Sequence, residues 1–282
     1  MSQSRELQLR ITQMEEIRSI LNAMKNLALI EIHKLTPYQS AQSLSVANIE
    51  QAAQDFLEFN PQSIIVKDQA NSIAILIGAE RGFCGDFNEK LISLVNLGVY
   101  SGIIAIGTRL CNRLSNHPLV ITAINGANTA EEISTILNQL IDAITAITTE
   151  SSDKHQLNDC PPPFQLVAIY HDHRSAQISQ RQILPAFSQS AQKTSQTGHA
   201  PLLNLKPAEF FAELSHHYLY AVLHEIFYLS LLAENQQRLQ HLEGAVKHLD
   251  DATVNLQRKS QIFRQEEITE EIEVILLNAE NL

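Results

Sequence analysis

The chain has 282 residues, 44% of them hydrophobic, with a formal net charge of −11, enough for one large or two small domains with a substantial core. Its acidity repels free DNA and RNA, so nucleic acid is not an expected partner. No apolar run approaches the about 20 residues that span a bilayer, and the start Met1-Ser2-Gln3-Ser4-Arg5-Glu6 lacks a signal-peptide core, so a cytoplasmic chain is expected.

Helix breakers are unevenly placed. Of 9 Gly and 9 Pro, all but Pro37 and Gly244 lie between Pro61 and Pro207. This predicts long helices over residues 1–60 and 208–282, joined into a coiled coil, with a separate α/β domain over 61–207. The acidity concentrates at the end: residues 208–282 carry 13 Asp and Glu against 5 Lys and Arg.

From near Ser4, Leu7, Ile11, Met14, Ile17, Leu21, Met24, Ala28, Ile32 and Leu35 recur three and four apart, the spacing of one continuous helical stripe. Pro37 is expected to kink or interrupt that helix, because proline removes a hydrogen bond and crowds the preceding turn. The pattern resumes through Leu44, Ala47, Ile49 and Ala52 to about Phe59, and Asn60-Pro61 ends it.

The centre changes period. The runs 72–78, 102–107 and 164–170 are short, apolar and bounded by turn residues, as strands buried on both faces are. Helical stretches are expected near Glu89 to Leu97, Thr108 to Ser115 and Thr129 to Thr148, which makes a Rossmann-like, mostly parallel sheet with covering helices. Ser151 to Pro163 reads as a polar loop. After Pro207 there is no proline and one glycine, and Leu219, Val222, Leu223, Ile226, Leu229, Leu232, Leu239, Leu242, Val246, Leu249, Thr253, Leu256, Ile268, Ile272, Ile275 and Ala279 keep the three-four spacing. At 1.5 Å per residue such a helix reaches about 100 Å. Two helices striped in this way most simply cover each other as an antiparallel coiled coil.

Chemistry has no evident home. Neither GxxxxGK[ST] nor GxGxxG occurs, so no nucleotide or other cofactor site is expected, and no GxSxG marks a nucleophile. Cys84, Cys111 and Cys160 are distant and odd in number, which argues against a disulfide framework or a CxxC metal site and for buried or incidental thiols. The glycine cluster Gly78 to Asn88 follows a strand and precedes a helix; it reads as a tight turn with Gly at positive φ and Asp86 or Asn88 near the next N-cap. His171-Asp172-His173 reads as an exposed strand end without a third ligand. His216 and His217 read as helix surface, and Glu266 to Glu273 as a solvated acidic face.

Three motifs in order nevertheless resemble one family. Arg238-Leu239 with Leu242 and Ala245, then Arg264-Gln265, Ile268-Thr269, Glu271-Ile272 and Ile275, is similar to a closing signature R-M-x-x-M-x-x-A followed by R-Q-x-x-I-T-x-E-I-x-x-I. Arg81-Gly82-Phe83-Cys84-Gly85-Asp86-Phe87-Asn88 resembles D-R-G-L-C-G-G-F-N, with Glu80 in the place of the Asp, and Arg10-Ile11 and Ala23-Met24-Lys25 match R-I and A-M-K. The family is the gamma subunit, the central rotor shaft, of F-type ATP synthases, and the likeness covers nearly the whole chain. Ile17-Arg18-Ser19-Ile20-Leu21 and Lys25-Asn26-Leu27-Ala28 look more like the variant N-type ATPases. Ser260-Gln261-Ile262 departs from the family's Y-N-R.

The resemblance implies a non-catalytic subunit without bound ATP, on the cytoplasmic side of the inner (plasma) membrane. Its coiled coil would stand inside a ring of alpha and beta subunits, which it would meet through Met24, Lys25, Arg238, Arg264 and Gln265. Arg81, Gly82, Cys84, Gly85 and Asn88 would lie at the foot, towards the epsilon subunit and the c-subunit ring. Two alternatives stay open on the residues alone: a stand-alone coiled-coil scaffold, and an enzyme built on the central α/β domain.

Overall fold

The computed structural model describes residues 3–61, 71–97, 100–153, 164–175, 177–187 and 201–280. Among these residues the α-helices and strands follow in the order α1 (Gln3–Phe59), β1 (Asn71–Ile77), α2 (Phe87–Leu97), β2 (Gly102–Ile106), α3 (Thr108–Leu114), β3 (Val120–Ile124), α4 (Ile133–Asp153), β4 (Phe164–Asp172), β5 (Gln177–Leu184) and α5 (Pro207–Glu280). The chain divides into two compact units: residues 1–29 with 238–282, and residues 30–237.

The first unit is a pair of helix segments. Met14 on α1 faces Thr253 on α5, and Arg18 pairs with Asp250 at 2.5 Å. The Ser4 amide lies 3.5 Å from Glu267 Oε1, so α1 numbering rises as α5 numbering falls and the pair is antiparallel. Ile11, Leu21, Ala28 and Leu242 are buried, as the stripe requires.

The second unit holds a sheet of order β3-β2-β1-β4-β5, in which the first four strands are parallel and β5 runs antiparallel to β4. β1 and β2 are apolar on both faces because both faces are covered. Ile73, Ile75, Ile77, Ile104, Ile106, Leu166 and Ala168 join α1, α4 and α5 through Leu35, Val46, Phe56, Leu137, Val222 and Ile226. The alternate residues Ala74, Leu76, Ile103, Ala105 and Ile169 join α2 and α3 through Phe87, Leu91, Leu110 and Leu114. Burying an aliphatic side chain contributes about 1.5–3 kcal/mol, against about 1 kcal/mol net for one hydrogen bond. Two-sided packing therefore dominates the stability of this unit.

Several expectations need correction. α1 is not interrupted at Pro37 but runs through it. Leu35 is fully buried and Gln39 nearly so, which holds both flanks of the proline in place, and the Thr36 and Ser40 hydroxyls donate back to the Ile32 and Thr36 carbonyls. Beyond Pro37 the buried face is Gln39, Val46, Ala53, Phe56 and Leu57, whereas Leu44, Ala47 and Ala52 are exposed. Contact with the sheet and α5, not apolarity alone, sets that phase. α4 extends to Asp153, so Ser151 to Asp153 are helical; residues 154–163 lie outside the described residues, as does Cys160. Strands β3 and β5 add to the three that the apolar runs predict.

Candidate functional site

The glycine turn begins where β1 ends. Gly85 and Phe83 both have positive φ, 57° and 64°, so the chain reverses tightly and leaves the Phe83 ring 47% exposed. Asp86 directly precedes the first residue of α2, and Asn88 Oδ1 accepts from the Ala79 amide at 2.9 Å. The Glu234 carboxylate on α5 accepts from the Glu80 and Arg81 amides, each at 3.2 Å. Glu80 Oε2 accepts from the Thr108 and Gly126 amides, each at 2.7 Å, and its Oε1 accepts from the Thr108 hydroxyl at 2.7 Å. A carboxylate of the chain itself thus takes up the free amide at the start of α3 and a loop amide after β3. Arg81 Nε donates to Asn128 Oδ1 at 2.6 Å, and the buried Cys84 thiol faces the Arg81 and Gly82 carbonyls at 3.6 and 3.4 Å.

The family-like turn residues Arg81, Gly82, Cys84, Gly85 and Asn88 are therefore brought together. Of these, Arg81 and Gly85 are exposed, Gly82 and Asn88 are half-buried, and Cys84 is buried. The other five candidates are divided by burial. Met24 and Lys25 are half-buried on α1, Arg238 is 6% exposed, and Arg264 and Gln265 are exposed on α5. The apolar stripe of α5 continues past Glu267, where the Ser4 amide lies, as Ile268, Ile272 and Ile275, 46%, 52% and 66% exposed.

A second polar cluster lies between β5 and the two long helices in the 30–237 unit. Arg181 Nη1 donates to Glu225 Oε2 at 2.8 Å and Nη2 to Glu50 Oε1 at 2.7 Å. Tyr218 Oη lies 3.4 Å from the same Glu50 oxygen. Ser43 Oγ donates to Glu225 Oε1 at 2.6 Å and is itself bonded by Arg174, whose guanidinium is 3.6 Å from Glu225. Burial works against the charge on Arg181, but Tyr218 and the carboxylates of Glu225 and Glu50 more than offset it and raise its pKa.

His171 is not the exposed strand end expected. Its ring stacks on Phe87 at 3.8 Å and Nε2 lies 2.8 Å from the Phe87 carbonyl oxygen; burial lowers its pKa. His216 and His217 are exposed on α5. Among the described residues, no three His, Cys, Asp or Glu side chains form a metal-sized group, and no helix is long and apolar enough to cross a membrane.

Glu234, Glu225, Glu50 and Arg181 were not marked by any local motif. The available signal was that Glu225 and Glu234 fall on or beside the apolar stripe of α5, where an acid must find a partner.

Long helices from both termini, antiparallel where they pair, with a mostly parallel sheet between them in the chain, make up a fold that this chain shares with rotor and central-stalk chains of ATP synthases. The ATP synthase family model matches residues 3–282, and the chain belongs to the ATP synthase gamma-subunit family. It is similar over 94% of its length to 98% of a chain from the rotor of Euglena gracilis mitochondrial ATP synthase in rotational state 1, at 13% identity and a TM-score of 0.64. A chain from the OSCP/F1/c-ring part of that enzyme in rotational state 3 gives a TM-score of 0.65 at 13% identity, with 98% of this chain and 93% of the other covered. A chain from the central stalk and c-ring of Tetrahymena thermophila mitochondrial ATP synthase gives 0.56 at 16% identity, covering 80% and 99%. At these identities the likeness is one of fold. No curated protein matches by sequence.

Proposed function

We propose that this gamma subunit is the rotating shaft that couples turning of a membrane c ring to ATP synthesis or hydrolysis in a surrounding ring of alpha and beta subunits. In this reading it binds no nucleotide and performs no catalysis itself, lies peripherally on the cytoplasmic side of the membrane, and meets epsilon and the c ring through its α/β unit, including the turn at Arg81 to Asn88. The energy of each beta site would depend on which face of the shaft it meets, a reciprocal coupling between two processes.

The observation that carries the reading is the family match across residues 3–282. The stripe at Ile268, Ile272 and Ile275 supports it, since an apolar stripe left uncovered among the described residues suits an apolar sleeve. Exposed Arg264 and Gln265 precede that stripe and would supply directional contacts to the ring, with half-buried Met24 and Lys25 adding packing and polar contacts; Arg238, 6% exposed, has little surface to offer a partner. Charge-assisted hydrogen bonds of about 1.5–3 kcal/mol can gate rotation and still break at each step.

Co-expression with alpha and beta subunits tests this. The chain should enter a complex at one copy per three beta subunits; elution alone or as a homodimer would refute the assignment. R264A/Q265A should lower ATPase turnover of that complex while the isolated chain keeps its helical circular dichroism. Wild-type turnover would remove these two residues from the contact.

A further inference from the structure

The cluster at Arg181 adds directional polar contacts between three elements that also share an apolar core. Among the described residues β5 is an edge strand paired with β4, and its sequence, Gln177-Ile178-Ser179-Gln180-Arg181-Gln182-Ile183-Leu184, is largely polar. Its central arginine reaches both long helices with a single planar group, Glu50 on α1 and Glu225 on α5. The turn after β4 repeats the connection through Arg174, which meets Ser43 on α1 and Glu225 on α5. The Glu225 side chain is 7% exposed and that of Arg181 25%.

Burying such a group is a poor way to gain stability, because desolvation of the ions offsets most of their attraction. What it supplies is direction. The apolar driving force is itself non-directional, although packed side chains also resist sliding, whereas a planar guanidinium that gives one N–H to each of two carboxylates sets their angles. We infer that Arg181, bridging Glu50 and Glu225, is a torque-bearing joint through which force on the sheet reaches both long helices. The inference rests on the shaft reading above and assigns it a positioning residue. Lysine cannot replace the fork, since one ammonium cannot hold both carboxylates in that geometry.

The test uses the assembled complex carrying R181K, with E50Q as a second variant that opens the same bridge from the other side. Thermal midpoint, ATP hydrolysis without load, and ATP synthesis against an imposed ion gradient are measured. So are the angular fluctuations of a bead attached to the α/β unit while the alpha/beta ring is fixed. R181K should keep its midpoint and unloaded hydrolysis near wild type, widen the angular variance about twofold and lower loaded synthesis severalfold. Wild-type variance together with wild-type loaded synthesis, in R181K and in E50Q, overturns the joint. If R181K lowers the midpoint, E50Q decides on the same two readouts. Failure of the wild-type chain to assemble overturns the shaft reading, and the joint with it; normal assembly and coupling with unchanged variance overturns the joint alone.

Discussion

The Glu234 carboxylate accepts the Arg81 amide proton at 3.2 Å and, through its other oxygen, that of Glu80 at the same distance. One side chain on α5 thereby fixes the loop that turns the chain from β1 into α2. Hydrogen bonds to a charged group contribute about 1.5–3 kcal/mol, and truncation leaves both amides without that acceptor. E234A should destabilise the chain by about 2–3 kcal/mol in urea unfolding and E234Q by less. Hydrogen exchange in E234A should quicken selectively over residues 78–88; unchanged protection there would contradict the role given to Glu234.

Gly107 and Gly244 should respond oppositely to alanine. Gly107 has φ +109°, and a Cβ there would lie 2.7 Å from the Gly78 carbonyl oxygen. G107A combines a strained backbone with a clash against main chain and should cost about 3 kcal/mol. Gly244 lies within α5 with nothing within 4 Å of a Cβ. G244A should therefore stabilise by about 1 kcal/mol, the ordinary helix-propensity gain. Paired thermal or urea unfolding curves of the two variants check both signs.

Pro37 lies inside α1, where it supplies no N–H for the His33 carbonyl. Its interior position costs about 3 kcal/mol relative to alanine, partly returned by the stiffer unfolded chain, a gain of about 0.4–1 kcal/mol. P37A should raise stability by about 2 kcal/mol without loss of helical signal. A lower thermal midpoint would mean that the proline ring makes a packing contribution larger than the missing bond.

Acid should weaken the chain through its histidines. Burial lowers the pKa of His171, with the Phe87 carbonyl bond opposing in part, and burial likewise lowers that of His224. The neutral ring is favoured in the fold, so the unfolded chain binds more protons once pH drops below the ordinary histidine value of about 6.5. The stability is present above that pH, is lost as pH falls through the folded pKa, and levels off beneath it. Urea midpoints from pH 8 to pH 5 should fall less steeply in H171F, which keeps a ring against Phe87 but cannot titrate. Parallel profiles for wild type and H171F would exclude His171 from the effect.

Much of this architecture is legible locally. The stripe Leu7 to Leu35, the breaker-free end after Pro207 and the runs at 72–78, 102–107 and 164–170 follow from periods of 3.6 and 2, which any apolar face imposes on its own element. The family motifs at Arg81 to Asn88 and Arg238 to Ile275 carry the same kind of local information. Strands β3 and β5 escape this reading because they are sheet edges. Gln177 to Leu184 is mostly polar and offers no apolar run to find, whereas Val120 to Ile124 is apolar at four of five positions yet buried only at Ile124.

Local pattern therefore determined the helices, the central strands and the family. Only the tertiary structure decided that α1 continues through Pro37, that its buried face shifts to Gln39 and Val46, and that acids as ordinary in sequence as Glu50, Glu225 and Glu234 become acceptors for Arg181 and for the turn amides. The physical reason is range. Periodicity is fixed by neighbours three or four residues away, whereas Glu50 and Arg181, separated by 131 residues, acquire their partnership only when strand and helix are brought together.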